Sequence, residues 1–102
     1  MWHPVFKTSD IVDGQGISLN VPGRRKPVAL FRWAGQFFAV NDECPHANAP
    51  LSGGKVSDFI VTCPSHGAKF DIRNGKSDKD FFYGDIKTFP VKIEGDTVYI
   101  EV

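Results

Sequence analysis

Two short segments carry most of the residues in this chain that could bind a metal. Cys44-Pro45-His46 and Cys63-Pro64-Ser65-His66 together contain both cysteines and two of the three histidines. A thiolate and an imidazole in each segment form the donor set expected for zinc or for an iron–sulfur centre with mixed ligation. The pattern therefore predicts a metal centre held between two loops.

Two other interpretations use the same residues. A zinc site with two cysteines and two histidines would hold the same loops together, although zinc frameworks usually pair cysteine with cysteine and histidine with histidine. A disulfide between Cys44 and Cys63 would leave both neighbouring histidines unexplained. The mixed pairs favour an iron–sulfur centre, and the zinc site is the main alternative.

The pattern around these residues resembles the Rieske family. A Cys-x-His pair is followed, after residues 47–62, by a Cys-x-x-His pair. The flanking residues Ala49-Pro50-Leu51 and Gly67-Ala68-Lys69-Phe70-Asp71 are also typical of that family. The resemblance extends over nearly the whole chain.

This resemblance implies one [2Fe–2S] cluster as the cofactor. Cys44 and Cys63 would bind one iron through sulfur. His46 and His66 would bind the other iron through ring nitrogens. Because neutral imidazoles replace two anionic thiolates, such a cluster accepts an electron more easily than one held by four cysteines.

Composition indicates a single small domain without a nucleic-acid-binding face. The 102 residues include 12 Lys plus Arg and 12 Asp plus Glu, so the formal charge is balanced. A broad cationic surface of the kind that binds phosphate backbones is not expected, and we predict no nucleic-acid partner.

We expect a soluble, cytoplasmic protein without a membrane partner. No apolar stretch approaches the length of a membrane span, and Met1-Trp2-His3-Pro4 lacks the features of a signal peptide. The Rieske proteins of respiratory and photosynthetic cytochrome complexes carry a membrane anchor and an extra cysteine in each loop. This chain has Asn48 or Ala49, and Ser65, at those positions, so it is similar instead to the soluble Rieske-type ferredoxins that lack a disulfide.

Short apolar runs separated by glycine, proline and asparagine predict a mostly β chain. The expected strands cover residues 2–7, 17–21, 27–33, 37–41, 59–62, 68–72, 88–93 and 97–102. Turns are expected at Ala34-Gly35-Gln36, Asn74-Gly75 and Glu94-Gly95-Asp96. Alternation in the last two strands predicts that their apolar side chains are core residues, namely Val91, Ile93, Val98, Ile100 and Val102.

The expected fold class is all-β, with a Rieske-like fold in one domain over residues 1–102. Residues 1–42 and 86–102 would form an antiparallel β base, and a small cluster-binding subdomain would be inserted at about residues 43–85. Many family members cover the cluster with a third loop that contains proline. Here Asp80-Phe81-Phe82-Tyr83-Gly84-Asp85 occupies that region. We expect at least one of its aromatic side chains either to cover the cluster or to remain exposed for docking, and we favour the covering role.

The resemblance also predicts a low reduction potential. High-potential members have serine directly after the glycine that follows the second histidine, and tyrosine two residues further on. This chain has Ala68 and Phe70 there, so two hydroxyl donors toward sulfur are missing. We expect a potential toward the low end of the roughly −150 to +300 mV range of Rieske centres.

The function that the resemblance implies is one-electron transfer, not catalysis. Similar ferredoxins of bacterial oxygenase systems receive electrons from a flavin-dependent NAD(P)H reductase and deliver them to a terminal oxygenase, and we expect such a carrier as a monomer. The alternatives are a Rieske subunit held within another oxidoreductase such as a nitrite reductase, or a zinc-stabilised interaction module. An independent oxygenase is disfavoured, because 102 residues leave no evident second metal-binding triad.

Overall fold

The structure is a computed structural model that describes residues 1–43, 50–64, 67–77 and 86–102. Within these ranges it contains ten β-strands and two 3₁₀ turns, which confirms the all-β prediction. The strands are β1 (Trp2–Lys7), β2 (Gly16–Leu19), β3 (Val28–Trp33), β4 (Gln36–Asn41), β5 (Val56–Ser57), β6 (Ile60–Thr62), β7 (Lys69–Asp71), β8 (Thr88–Phe89), β9 (Val91–Glu94) and β10 (Thr97–Glu101). The 3₁₀ turns are Thr8–Asp10 and Leu51–Gly53.

The strands form three antiparallel sheets. The terminal sheet has the order β1-β10-β9, the middle sheet has the order β2-β3-β4-β8, and the third sheet has the order β5-β6-β7. Along the chain, β5 and β6 lie between the two predicted ligand segments, and β6 leads directly into Cys63. Strand β7 follows the second segment. Among the described residues, no helix is long and apolar enough to cross a membrane.

Strands β3 and β4 contribute side chains to two separate cores. Both faces are involved because successive side chains on a strand point to opposite sides. One face contributes to a first core, which contains Ile11, Val21, Val28, Leu30, Phe37, Ala39, Phe89, Val98 and Ile100. The other face contributes to a second core, which contains Ala29, Phe31, Val40, Leu51, Val56, Val61, Cys63, Ala68, Phe70, Ile72 and Ile86. The middle sheet therefore joins the terminal strands to the part of the chain that carries Cys63.

The predicted early strands agree with the structure to within two residues. The first strand is confirmed, and β3 and β4 differ from their predicted starts by a single residue. The hairpin between them turns through Ala34 and Gly35, whose φ angles of 54° and 74° suit a two-residue loop. Strand β2 begins at Gly16, where a Cβ would overlap the Phe31 ring, so only glycine allows this pairing with β3.

The prediction that Phe59 lies in a strand is wrong. Asp58 and Phe59 form the two-residue turn between β5 and β6, with φ angles of 52° and 65°. A positive φ is unusual for an aromatic residue. The Phe59 ring packs edge-to-face on Phe38 at 5.8 Å, and the Arg73 guanidinium lies 4.4 Å from its centre. The contacts with Phe38 and Arg73 stabilise a positive φ at Phe59, which is otherwise unfavourable for an aromatic residue.

The strand predicted at residues 88–93 is divided at Pro90. Strand β8 pairs with β4 in the middle sheet, whereas β9 pairs with β10 in the terminal sheet. Proline has no N–H to continue a ladder, and the Pro90 carbonyl instead accepts a hydrogen bond from the Glu101 N–H at 3.0 Å. The chain therefore passes from one sheet to the other at this residue.

The terminal hairpin is confirmed, but one of its predicted core residues is exposed. Glu94 pairs with Thr97 across the turn, where Gly95 has a φ of 63°. Val98 and Ile100 are fully buried, whereas Ile93 is 45% exposed. Strand β9 is the edge of its sheet, so alternation alone does not bury every apolar residue on it.

The predicted Asn74-Gly75 turn is present and fixes the chain before residue 78. The Gly75 N–H donates to the Asp71 carbonyl at 2.7 Å, and the Gly75 carbonyl accepts the Ile86 N–H at 2.8 Å. Gly75 has a φ of 76°, and a Cβ there would overlap the Ile86 carbonyl oxygen. The position requires glycine for both its conformation and its close contact.

Gly75→Ala is expected to lower the free energy of unfolding by about 2 to 4 kcal/mol, measured by urea denaturation. Gly23→Ala is the matched control, because Gly23 has a φ of 84° but nothing within 4 Å of a built Cβ. The control should lose only about 1 to 2 kcal/mol from the strained φ. Equal losses in the two variants would show that the contact with Ile86 has no energetic role.

Candidate metal centre

Of the four predicted ligands, the structure describes Cys63. Cys44, His46 and His66 lie outside the described residues, as do Ser65 and the aromatic segment 80–85 that was predicted to cover the site. The arrangement of the four ligands and the role of that aromatic segment therefore stay predictions. The described residues establish how the chain enters and leaves each ligand segment.

Cys63 directly follows β6 and lies in the second core, where it is 1% exposed. Its N–H donates to the Ala68 carbonyl at 2.7 Å, and its carbonyl accepts the Gly67 N–H at 3.0 Å. Gly67 has a φ of 71°, a conformation that favours glycine. The chain thus turns back on itself directly after Cys63, and its backbone is held at both ends of this turn.

Cys63 forms no disulfide within the described residues, and Cys44, its partner in the disulfide alternative, lies outside them. A buried free cysteine can serve simply as a small apolar residue. Here it also provides a thiol in a water-poor, apolar setting at the start of a tightly held loop, which suits a sulfur ligand to an iron–sulfur cluster. A zinc ion could use the same sulfur, so Cys63 alone does not distinguish the two metals.

The 3₁₀ turn that follows the first ligand segment lies directly against the start of the second segment. The 3₁₀ turn Leu51–Gly53 follows the first segment, and Leu51 is buried in the same core as Cys63. A Cβ on Gly54 would overlap the Thr62 carbonyl oxygen, and a Cβ on Gly53 would lie 3.9 Å from the Pro64 ring. Position 54 thus requires glycine because the backbone of Thr62 approaches it closely.

Asp42 is a residue of this region that the sequence analysis missed. Its side chain is the one buried polar or charged side chain among the described residues, at 5% exposure. Its carboxylate accepts the Ser52 N–H at 2.7 Å and the Ser52 hydroxyl at 2.8 Å. Its position directly after a buried strand, two residues before Cys44, is a sequence signal that could have identified it.

The structure shows the surroundings of Ala68 and Phe70, the two positions at which high-potential family members carry a hydroxyl group. Both are buried in the core that contains Cys63, and the Ala68 carbonyl is hydrogen-bonded to the Cys63 N–H. Neither side chain carries a hydrogen-bond donor. These two side chains therefore donate no hydrogen bond to the sulfur of Cys63.

Both carboxylate oxygens of Asp71 accept hydrogen bonds from Arg73. One carboxylate oxygen accepts the Arg73 N–H at 2.8 Å and its Nε at 3.0 Å, and the other accepts Nη2 at 2.7 Å. The Arg73 side-chain hydrogen bond lowers the pKa of the Asp71 carboxyl, while partial burial acts in the opposite direction. This pair stabilises the turn after β7 and leaves Asp71 without a ligand role.

Comparison with known protein families gives one match that spans most of the chain. Residues 1–90 match the family described as Rieske [2Fe-2S] domain. Among curated proteins, the chain is 34% identical over 101 residues to the ferredoxin component of the naphthalene 1,2-dioxygenase system from Pseudomonas putida. That alignment covers 99% of this chain and 95% of the relative.

Solved structures with the same fold include a complex of an oxygenase with a ferredoxin. A chain from the complex of reduced oxygenase and oxidized ferredoxin in carbazole 1,9a-dioxygenase aligns with a TM-score of 0.89 and 29% identity, covering 97% of this chain and 100% of that one. A putative NADH-dependent nitrite reductase small subunit from Mycobacterium tuberculosis aligns with a TM-score of 0.90, covering 100% and 96% of the two chains. Its identity is 22%, so this second likeness concerns the fold.

Proposed function

Since the chain belongs to the Rieske [2Fe–2S] domain family, we propose that it is a one-electron carrier of an oxygenase system. It receives electrons from a flavin-dependent NAD(P)H reductase and delivers them to a terminal oxygenase, and it has no substrate of its own. The observation that carries this proposal is the 34% identity to a dioxygenase ferredoxin over 95% of that relative's length. The likeness thus spans nearly the whole length of a ferredoxin component.

The proposed cofactor is one [2Fe–2S] cluster bound between the two ligand segments. Cys44 and Cys63 would hold one iron, and His46 and His66 would hold the other. When bound, this cluster supplies reversible uptake and release of a single electron. The buried thiol of Cys63 and its hydrogen-bonded backbone support this assignment.

The chain's own residues would set the environment of that electron. The second core excludes water from the Cys63 side chain, which is 1% exposed. Ala68 and Phe70 supply no hydroxyl, so the charge of the reduced state receives no stabilisation from them. A low potential follows, and it suits delivery of electrons to an oxygenase.

We place the whole activity in one Rieske domain over residues 1–102. Residues 1–42 and 86–102 would act as the base, and about 43–85 as the cluster-binding subdomain. The first core contains only residues of the proposed base, whereas the second core joins residues of both parts. We further propose that the carrier works as a monomer in the cytoplasm, where a reductase has access to NAD(P)H, through brief contacts of less than about 1,200 Å².

Anaerobic electron transfer tests this function. With NADH and a catalytic amount of the reductase component of a naphthalene 1,2-dioxygenase system, the visible spectrum of the oxidised protein should bleach within seconds. When the NADH is limiting and has been consumed, addition of excess oxidised terminal oxygenase should restore the spectrum, because the electron then passes to the oxygenase and no reductant remains to replace it. A protein that dithionite reduces but that exchanges no electrons with either component would contradict the carrier proposal.

The alternative of a permanently held subunit predicts different behaviour. A Rieske subunit of a nitrite reductase should remain with a large subunit through size-exclusion chromatography, whereas a carrier should elute alone. The likeness to a putative nitrite reductase small subunit concerns the fold, so the carrier remains the better-supported function.

A further inference from the structure

Asp42 and Ser52 connect the two sides of the first ligand segment. Asp42 precedes this segment and Ser52 follows it, and the buried Asp42 side chain meets the partly buried Ser52 side chain. Both carboxylate oxygens are used, since Oδ1 accepts the Ser52 N–H at 2.7 Å and Oδ2 accepts its hydroxyl at 2.8 Å. The Asp42 N–H is also engaged, with the Pro27 carbonyl at 3.1 Å. A buried carboxylate is stable only with such partners.

Ser52 lies in the turn that contacts the second ligand segment. Leu51, its neighbour, is fully buried in the core that contains Cys63. The next two residues, Gly53 and Gly54, lie against Pro64 and the Thr62 carbonyl. The Asp42–Ser52 pair therefore links the residue that precedes the first segment to a turn that packs against the residues on both sides of Cys63.

We propose that Asp42 and Ser52 are positioning residues that hold the two ligand segments in register and thereby determine how tightly the metal cluster is retained. This inference rests on the proposed function. Each segment supplies one cysteine and one histidine, so each iron would depend on both segments. A change in the relative position of the segments would disturb both irons at once.

Ser52→Ala is the main test because it removes one hydroxyl and leaves the backbone hydrogen bond to Asp42. The variant is expected to release iron to a chelator about tenfold faster or more, at a temperature where far-UV circular dichroism shows it folded. Its reduced-state EPR signal should broaden or shift. Ser52→Thr keeps the hydroxyl and should restore slow release and the original signal.

Two controls separate positioning from general loss of stability. Ser57→Ala removes a hydroxyl from an exposed position on neighbouring β5 and should release iron at the original rate. Asp42→Asn should release iron faster, whereas Asp10→Asn, which alters an exposed carboxylate bonded to the Lys7 N–H, should not. If Ser52→Ala and Asp42→Asn both keep the original release rate and EPR signal, the positioning role is overturned.

Metal analysis of the unsubstituted protein separates this inference from the proposed function. A protein with zinc and no sulfide would overturn the electron-carrier function. Zinc release from the same variants would then test the positioning role, with faster release supporting it and unchanged release overturning it.

Discussion

His66→Ala is expected to yield protein that lacks the native [2Fe–2S] signature, with less than about a tenth of the iron of the unsubstituted protein. The reason is that one iron would lose half of its protein ligands, and an alanine side chain provides no donor atom. His46→Ala should give the same result. Visible absorption, iron content and reduced-state EPR measure the loss.

His3→Ala provides the matched control for these two substitutions. His3 is the third histidine of the chain and lies in β1, where it pairs with Ile100. Because it belongs to the terminal sheet, its replacement should leave iron content and spectra unchanged. A native spectrum in His46→Ala or His66→Ala would show that the assigned ligand set is wrong.

Ala68→Ser is expected to raise the reduction potential by about 50 to 100 mV. Ala68 is 3% exposed and its carbonyl is hydrogen-bonded to the Cys63 N–H, so a hydroxyl introduced there would lie close to this ligand. A hydrogen bond that strengthens by about 1 to 2 kcal/mol on reduction corresponds to that change for one electron. A redox titration followed by EPR measures it.

Ala39→Ser is the control variant for the change in reduction potential. Ala39 is also buried but belongs to the first core, so its replacement should lower stability without moving the potential. An unchanged potential in Ala68→Ser, in a variant whose structure shows the new hydroxyl bonded to sulfur, would overturn the explanation of the low potential.

The parts of the fold that sequence predicted well are those that local patterns determine. β1 and the terminal hairpin follow from alternation and from a glycine-containing turn, and both are confirmed. The Cys-x-His and Cys-x-x-His pairs identify the family because few other sites place one ligand of each type in each segment. Family membership therefore required no tertiary information.

The features that sequence missed depend on contacts between distant residues. Phe59 adopts a positive φ because Phe38 and Arg73 hold its ring, and neither contact is visible in the local sequence. The division at Pro90 depends on which sheet accepts each half of the strand. Propensity describes a segment, whereas these outcomes are decided by its neighbours.

The Asp42–Ser52 pair shows the same limit at the candidate site. An aspartate after a strand and a serine in a later turn are each ordinary surface residues when considered alone. The fold makes them significant by burying the carboxylate and aligning both of its oxygens with Ser52. The ligand types are proposed from the sequence, whereas the hydrogen bonds between Asp42 and Ser52 become visible only in the packed structure.

Iron and acid-labile sulfide analysis of freshly purified protein, combined with low-temperature EPR after dithionite reduction, tests the central claim most directly. About two irons and two sulfides per chain are expected, with a rhombic signal typical of mixed-ligand [2Fe–2S] centres. A colourless, EPR-silent protein that contains one zinc would contradict this claim and would make the chain a zinc-stabilised module.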